Sequence, residues 1–348
     1  MKARRTTLGQ VADAAGVSIA TVSKVLNNRG DVSVETRRRV EKHLRASSYR
    51  RVGPSSGGSQ RPGQQFEVRL GGPQNAYAMA VLDGITSSAQ LEGFDVVYFR
   101  GFADELTETD AAALLDSHRA GVICLTMDAS GPGFKKLCDA DFPVVVVDPL
   151  RVTDTHCISI GATNFTGAVI ATEHLLSLGH RRIGHAGGPA SVEVSEARLS
   201  GYASALRRAG LPLDECLVSH VPFDYESGLR AGQHLLELAE PPTAVFAASD
   251  EIALGVIEEA RRRGIRVPQD LSVMGFDDTF LAARASPPLT TVAQPLIEMG
   301  QLAVRSLAQV IANDRIGTNH IELATRLVVR GSTARLARPA DAGPRRAG

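Results

Sequence analysis

TAVFAASDEIALGVIEEARRRGIRVPQDLSVMGFDD, Thr243–Asp278, carries one complete unit of the architecture. Its first apolar run ends on Ser249 and Asp250. A helical stretch follows over Glu251–Arg263, and a second apolar run ends on Asp277 and Asp278. A short run that is apolar throughout reads as a strand buried on both faces, and a helix between two such runs is the crossover that keeps them parallel. The same alternation extends in both directions. Before it come FEVRLGG, a helix over Asn75–Glu92, FDVVYFR, a helix around Leu106–Ser117, GVICLTM and FPVVVVD. Then follow a helix over Asn164–Leu178, RRIGHAGG, a helix over Ser195–Ala209, CLVSHVPF and a helix over Tyr225–Leu238. More than ten such elements are too many for one small sheet, so two doubly wound parallel-sheet subdomains are expected.

Open parallel sheets bind ligands beyond the carboxyl ends of their strands. Here those ends carry Asp148, the pair Ser249–Asp250 and the pair Asp277–Asp278. Two such edges facing each other would form a polar cleft. The same residue types also cap helices, which is the structural alternative for Asp250 and Asp277. Asp277 and Asp278 are adjacent on a strand end and point in opposite directions, so they do not read as a catalytic acid/base pair. No phosphate-binding glycine loop of the G-x-x-x-x-G-K type is present, and GHAGGP has the wrong spacing for a dinucleotide fingerprint. No His cluster has metal-ligand spacing. Cys124, Cys138, Cys157 and Cys216 are scattered and read as reduced thiols. Neither a cofactor nor an enzyme is implied. The basic opening MKARRTTLGQ lacks an apolar signal core, and no apolar run approaches the ~20 residues of a membrane span. The expectation is a cytoplasmic protein.

The N-terminal region has a different texture. VADAAGVSIATVSKVLN, Val11–Asn27, reads as two short helices broken at Gly16. Thr6 or Thr7 would cap the first, and Ser18 the second, Ile19–Leu26. Val11, Ala12, Ala15, Val17, Val22 and Val25 or Leu26 bring one face of each helix together. A third helix in DVSVETRRRVEKHLRASSYR, capped by Ser33, would turn Val34, Val40 and Leu44 inward. Ile19, Ala20 and Lys24 remain outside, as on a recognition helix that enters the major groove. Over residues 1–62 there are thirteen Lys and Arg against four Asp and Glu, in a chain whose formal net charge is +0. A basic head thus precedes an acidic body, which is the electrostatic footprint of nucleic-acid binding. Alone, the run ETRRRVEKHLR would be only a solvated helix face. Next to the helix-turn-helix pattern it supports DNA binding. RRVGPSSGGSQRPGQQ, rich in Gly, Pro, Ser and Gln, then reads as a linker.

These segments together resemble the lactose-repressor family of transcriptional regulators. The resemblance is carried by VADAAGVSIATVSKVLN in the head. In the body it is carried by GATNFTGAVIATEHLLSLGHRRIGHAGGP, ARLSGYASAL, PTAVFAASDEIALGV, VPQDLSVMGFDDT and SPPLTTVAQPLIEMG. It implies an all-α helix-turn-helix head at residues 1–50 and a hinge or linker at 51–65. The body would be α/β and periplasmic-binding-protein-like, with subdomains 66–163 plus 292–320 and 164–291 plus 321–334, and a flexible tail at 335–348. The three crossovers would lie near Thr163, Thr291 and His320, and the body would dimerise. By the same resemblance Ile19, Ala20 and Lys24 read bases, while Ser18, Thr21, Asn27, Ser33 and Thr36 meet phosphates. An Ile–Ala pair can touch thymine methyls, and Lys24 is then the main hydrogen-bond donor. In the body, Arg198 and Asp277 resemble the effector-binding pair, and Phe223 an aromatic platform. Ser249, at a position often held by Asn, and Asp250 follow, while Tyr77, Asn164 and Phe165 line the opposite lip.

One feature departs from the family. Its hinge helix normally carries a Leu that wedges into the minor groove, but here no Leu lies between Tyr49 and Leu70. Gly53, Pro54, Gly57 and Gly58 are poor helix material, and Val52 is the one apolar candidate for a wedge. The resulting reading is a dimeric repressor of carbohydrate uptake or catabolism genes. It binds palindromic operator DNA and answers to a small polar effector such as a sugar. The alternative is a sugar-sensing module with a vestigial head. The tail ARPADAGPRRAG lacks the heptad of a tetramerising coiled coil.

Overall fold

The computed structural model describes residues 15–18, 21–22, 36, 40, 65–72, 74–100, 104–151, 157–312 and 318–336. The chain divides into two compact units, Met1–Gln60 and Arg61–Gly348. In the first unit Ala15, Val22 and Val40 are buried. Gly16 has φ +61°, a left-handed conformation in which a side chain would be strained. Ser18 Oγ accepts a hydrogen bond from the Thr21 N–H at 3.1 Å, and the Val22 N–H donates to the Ser18 carbonyl at 3.1 Å. Ser18 therefore caps the second helix in the way its position predicts.

The second unit contains two six-stranded sheets. The chain first lays down β1 (Gln65–Leu70), α1 (Ala76–Glu92), β2 (Asp95–Arg100), α2 (Glu108–Asp116), β3 (Val122–Leu125), α3 (Pro132–Asp139), β4 (Val144–Val147) and β5 (Ile158–Ala162). It continues with α4 (Asn164–Ser177), β6 (Ile183–Gly187), α5 (Glu193–Arg208), β7 (Val218–His220), α6 (Tyr225–Leu236), β8 (Ala244–Ala247) and α7 (Asp250–Arg262). Next come β9 (Ser272–Asp277), α8 (Phe280–Arg284), β10 (Thr290–Ala293), α9 (Leu296–Ile311), β11 (His320–Leu323) and β12 (Arg326–Val328). The first sheet runs β11-β5-β4-β3-β1-β2 and the second β12-β10-β9-β8-β6-β7. Every pairing is parallel except that of β10 with β12. The two halves thus repeat one strand order, differing in the direction of the last strand, and each takes that strand from the C-terminal segment.

The strands β3, β4, β5, β8 and β9 are buried at every position, as continuous apolar runs covered on both faces must be. Helix starts follow local chemistry. Asn75 Oδ1 accepts from the Ala78 N–H at 2.9 Å, Thr107 and Asp110 form a capping box, and Asp224 Oδ1 accepts from the Ser227 N–H at 2.7 Å. The chain crosses between halves three times. The first crossing follows β5 at Thr163. The second falls at Gln294–Pro295, beyond the expected Thr291, because β10 stays paired with β9 and β12 through Ala293. The third falls at Ala324–Thr325, beyond the expected His320, because His320–Leu323 pairs with β5 in the first sheet.

After the second crossing α9 returns to the first half and contributes Leu296, Met299, Ala303, Val304 and Leu307 to its core. It lies directly against α1. A Cβ on Gly84 would stand 2.1 Å from the Ile297 carbonyl oxygen, and one on Gly300 would stand 2.2 Å from that of Val81. Backbone meets backbone here, so neither neighbour can rotate away. Gly300→Ala is expected to destabilise the body by about 1–3 kcal/mol through overpacking. Gln301→Ala, on the next residue, should stay within about 0.5 kcal/mol of the parent. Urea unfolding followed by far-UV circular dichroism compares the two, and equal midpoints would refute the close crossing.

Candidate effector-binding cleft

The carboxyl ends of both sheets open onto one cavity of about 540 Å³. From the first half it is lined by Gly72 after β1, Thr126 after β3, Asp148 after β4, and Asn75 and Tyr77 at the start of α1. From the second it is lined by Pro189 after β6, Pro222 and Phe223 after β7, Ser249 after β8, Asp277 at the end of β9, and Arg198 of α5. Three of these residues hold left-handed backbone although they are not glycine: Thr126 at φ 51°, Asp148 at 42° and Asp277 at 114°. Such conformations cost about 1–3 kcal/mol each and persist where the surroundings enforce them.

Arg198 is 3% exposed. Its Nε donates to Asn164 Oδ1 at 2.9 Å, and its Nη1 donates to the Ala248 carbonyl. The guanidinium lies 3.9 Å from the Phe276 ring centroid and 5.9 Å from that of Phe223, within cation–π reach. Asp277 Oδ1 is 3.8 Å from Nη1 and accepts from Gln294 Nε2 at 2.7 Å. Burial pushes the Asp277 carboxyl well above its ordinary range. The Arg198 charge opposes that shift from beyond hydrogen-bond distance, while nearby Asp250 and Asp148 add to it. On the facing lip the Tyr77 hydroxyl donates to Asp148 Oδ2. Burial raises the Asp148 carboxyl, against the pull of that hydrogen bond, and burial with the adjacent carboxylate raises Tyr77 well above its ordinary value.

Three buried oxygens in this region lack a hydrogen-bond partner among the described residues: Asp148 Oδ1, Ser195 Oγ and Gln294 Oε1. Gly188 makes room for one of them, since a Cβ there would stand 2.3 Å from Ser195 Oγ and 2.2 Å from Phe223 Cζ. Of the three residues only Asp148 lines the cavity; a buried acceptor left unanswered costs about 1–3 kcal/mol, so a ligand hydroxyl would find a ready partner there.

The expected site residues separate into two groups. Tyr77, Arg198, Phe223, Ser249 and Asp277 line the cavity, and Ser249 also caps α7 by accepting from the Ile252 N–H at 3.2 Å. Asn164, Phe165 and Asp250 do not line it. Asn164 stands behind, holding Arg198 and donating to the Ala162 carbonyl at 3.0 Å. Phe165 is 47% exposed, because consecutive residues of a helix diverge by about 100° and Asn164 takes the inward direction. Asp250 is fully buried. Its Oδ2 accepts from the Thr279 N–H at 2.7 Å and hydroxyl at 3.0 Å, and its Oδ1 from the Thr291 hydroxyl at 2.6 Å. Both oxygens serve the fold, so the expectation that Asp250 holds effector is corrected.

Asp148 was visible in sequence as a strand-end carboxylate but was not placed among the site residues. Ser195 and Gln294, which stand behind the lining as Asn164 does, had no local signal. Asp278 accepts from Arg330 Nη2 at 2.6 Å. Among the DNA-binding candidates Ser18 is exposed, while Thr21 and Thr36 are half-buried. Ile19, Ala20, Lys24, Asn27 and Ser33 lie outside the described residues, as do Val52, most of the linker and the end of the tail. No helix among the described residues is long and apolar enough to cross a membrane. No group of three or more His, Cys, Asp or Glu among them could hold a metal ion.

Residues 7–51 match the family described as bacterial regulatory proteins, lacI family, and residues 172–333 match a periplasmic binding protein-like domain. The HTH-type transcriptional repressor CytR of Escherichia coli is 33% identical over 351 residues, covering 97% of this chain and 100% of that protein. A solved complex of the transcriptional regulator CelR with cellobiose superposes with a TM-score of 0.72 at 32% identity, covering 94% of this chain and 100% of the other. The lac repressor dimer bound to operator and the anti-inducer ONPF superposes with a TM-score of 0.74 at 29% identity, covering 95% and 100%.

The buried carboxyls give the body a pH signature. Burial lifts Asp250 from its ordinary 3.8 to about 7. A carboxyl whose pKa is higher folded than unfolded binds its proton more tightly in the folded chain. Its stabilisation is full below about 4 and is lost as pH rises through about 7. Asp148 and Asp277 shift in the same direction. The melting temperature is therefore expected to fall between pH 4 and pH 7, and Asp250→Asn should flatten part of that slope. Scanning calorimetry across the range tests this, and an unchanged slope in Asp250→Asn would contradict it.

Proposed function

The chain belongs to the lacI family of bacterial regulatory proteins, and on that premise we propose that it represses carbohydrate uptake or catabolism genes under the control of a small polar effector such as a sugar. It is a sequence-specific DNA-binding regulator that works as a homodimer on palindromic operator DNA in the cytoplasm. The observation that carries the effector reading is the pairing of two strand-end edges across one cavity, with Arg198 and Asp277 on one side and Tyr77 and Asp148 on the other. Arg supplies fixed donors, carboxylates accept from hydroxyls, and Phe223 offers a flat apolar face. A sugar presents both hydroxyls and an apolar ring face. The cellobiose complex of CelR is a precedent for that ligand class in a similar fold.

Arg198 and Asp277 bind the effector from the second half, while Asn164 fixes the direction of the guanidinium. Titration calorimetry on a panel of mono- and disaccharides identifies the ligand. Asp277→Ala is then expected to cost about 2–4 kcal/mol of its affinity, because buried donors lose their acceptor. Affinity for operator without effector should barely change. Undiminished binding in Asp277→Ala would move the site elsewhere.

In the head, Lys24 reads bases from the recognition helix, with Ile19 and Ala20 against thymine methyls. Lys24→Ala should weaken specific binding by about 1–3 kcal/mol and relax preference at one or two positions of each half-site. Site selection from a randomised DNA pool reads this directly. An unchanged preference would refute the base-reading role, and failure of the parent chain to select any site would favour a sugar sensor with a vestigial head.

A further inference from the structure

The four thiols of the chain have different surroundings. Cys124 lies in β3, fully buried, and burial pushes its thiol up to about 12, which leaves it unreactive. Cys216 is exposed. Cys138 and Cys157 face each other with their sulfurs 2.7 Å apart, and both are reduced. Cys138 sits on the last turn of α3, half-exposed, while Cys157 is buried immediately before β5. Closing a disulfide requires the sulfurs to approach by about 0.7 Å more, to a bond of roughly 2.05 Å. The hydrogen bond from Cys157 holds the Cys138 thiol below its ordinary range, against partial burial and the charge of Asp139, which outweighs the smaller attraction of Lys135. The half-exposed sulfur is therefore the better nucleophile, and the resolving thiol is already in contact with it. A metal centre is the poorer reading, since no third His, Cys, Asp or Glu joins the pair among the described residues.

We propose that Cys138 and Cys157 form a reversible redox site, oxidised by small organic disulfides to an intramolecular Cys138–Cys157 bond. The Cys138 thiolate attacks one sulfur of the organic disulfide and forms a mixed disulfide, releasing one small thiolate. The Cys157 thiolate then attacks Cys138 Sγ, forms the internal bond and releases the second. Two electrons pass to the organic disulfide, and the two protons from the cysteines go to the released thiolates. The bond closes a loop that contains β4 and Asp148, the strand end that supplies the facing lip of the cleft. Oxidation thereby fastens the two ends of that segment to each other.

The test uses the full reduced chain incubated with glutathione disulfide, then alkylated, digested and analysed by mass spectrometry. Apart from adducts on the exposed Cys216, the expected product has lost two hydrogens, carries one cross-linked peptide pair containing Cys138 and Cys157, and reverts with dithiothreitol. Its melting temperature should exceed that of the reduced chain by about 5 °C, because the loop is closed in the unfolded state as well. Cys157→Ser should stop at glutathione on Cys138, and Cys138→Ser should not react at the remaining buried thiol. Alkylation of both cysteines after oxidation, or a lasting glutathione adduct on Cys138 of the parent chain, would overturn the proposal. A cross-link without a rise in melting temperature would overturn the fastening.

Discussion

A guanidinium almost wholly removed from water must have its charge and its donors answered, and the second half of the body is arranged around that demand. Arg198 reaches from α5 to the side chain of Asn164 at the start of α4, to the carbonyl of Ala248 at the end of β8, and across the ring of Phe276 in β9. One side chain therefore ties two helices and two strand ends to the floor of the cleft. Asp277 stands beside the guanidinium but beyond hydrogen-bond distance, at 3.8 Å, so its carboxyl and the Arg198 donors can both turn to another partner. Gln294, at the second crossing between halves, holds Asp277 from below. The charged centre of the site is thus connected to the second crossing segment.

The cleft exists because the chain passes between the two sheets three times, so that neither half is complete without a returning segment. The return of α9 to the first half depends on Gly84 and Gly300, which let two helix backbones touch. The contact fixes where the second crossing begins and so where Gln294 lies. Across the cleft mouth, Glu251 at the start of α7 accepts from the Ala76 N–H of α1 at 3.2 Å, and the Glu193 N–H donates to the Leu150 carbonyl at 3.0 Å. These two polar links join the lips directly, and a ligand held between Asp148 and Asp277 would add further ones. Carboxyls that burial has made reluctant to ionise line both sides, so ligand hydroxyls would relieve a cost already present in the fold.

Much of this was legible in the amino-acid sequence. Continuous apolar runs such as Val144–Val147 can be accommodated only between two covering layers, and their alternation with helical stretches dictates parallel sheets. Ser18 and Gly16 announce the turn in the head, because one has the side chain that accepts from an orphan N–H and the other tolerates positive φ. Charge counting separated a basic head from an acidic body without any coordinates. The strand ends, and so the edge on which ligand groups gather, were marked by the polar residues that end each apolar run. Resemblance to the lactose-repressor family then placed Arg198, Phe223 and Asp277 together, and the fold brings them to one cavity.

Tertiary structure alone decided which of the marked residues face the ligand. Asp250 and Asp277 both end apolar runs, yet one is consumed by Thr279 and Thr291 while the other lines the cavity. That distinction depends on residues 29 and 41 positions away, which no local pattern encodes. Asn164 and Phe165 exchange importance for the same reason: helix rotation turns one to Arg198 and the other to solvent. Ser195 and Gln294 acquire meaning only when distant strand ends converge on them. Local sequence determines the elements, their caps and the edge on which ligand groups collect, because those follow from backbone geometry and burial. The assignment of each polar side chain to ligand or to fold is a long-range matter of which donors arrive beside it, and folding is what brings them there.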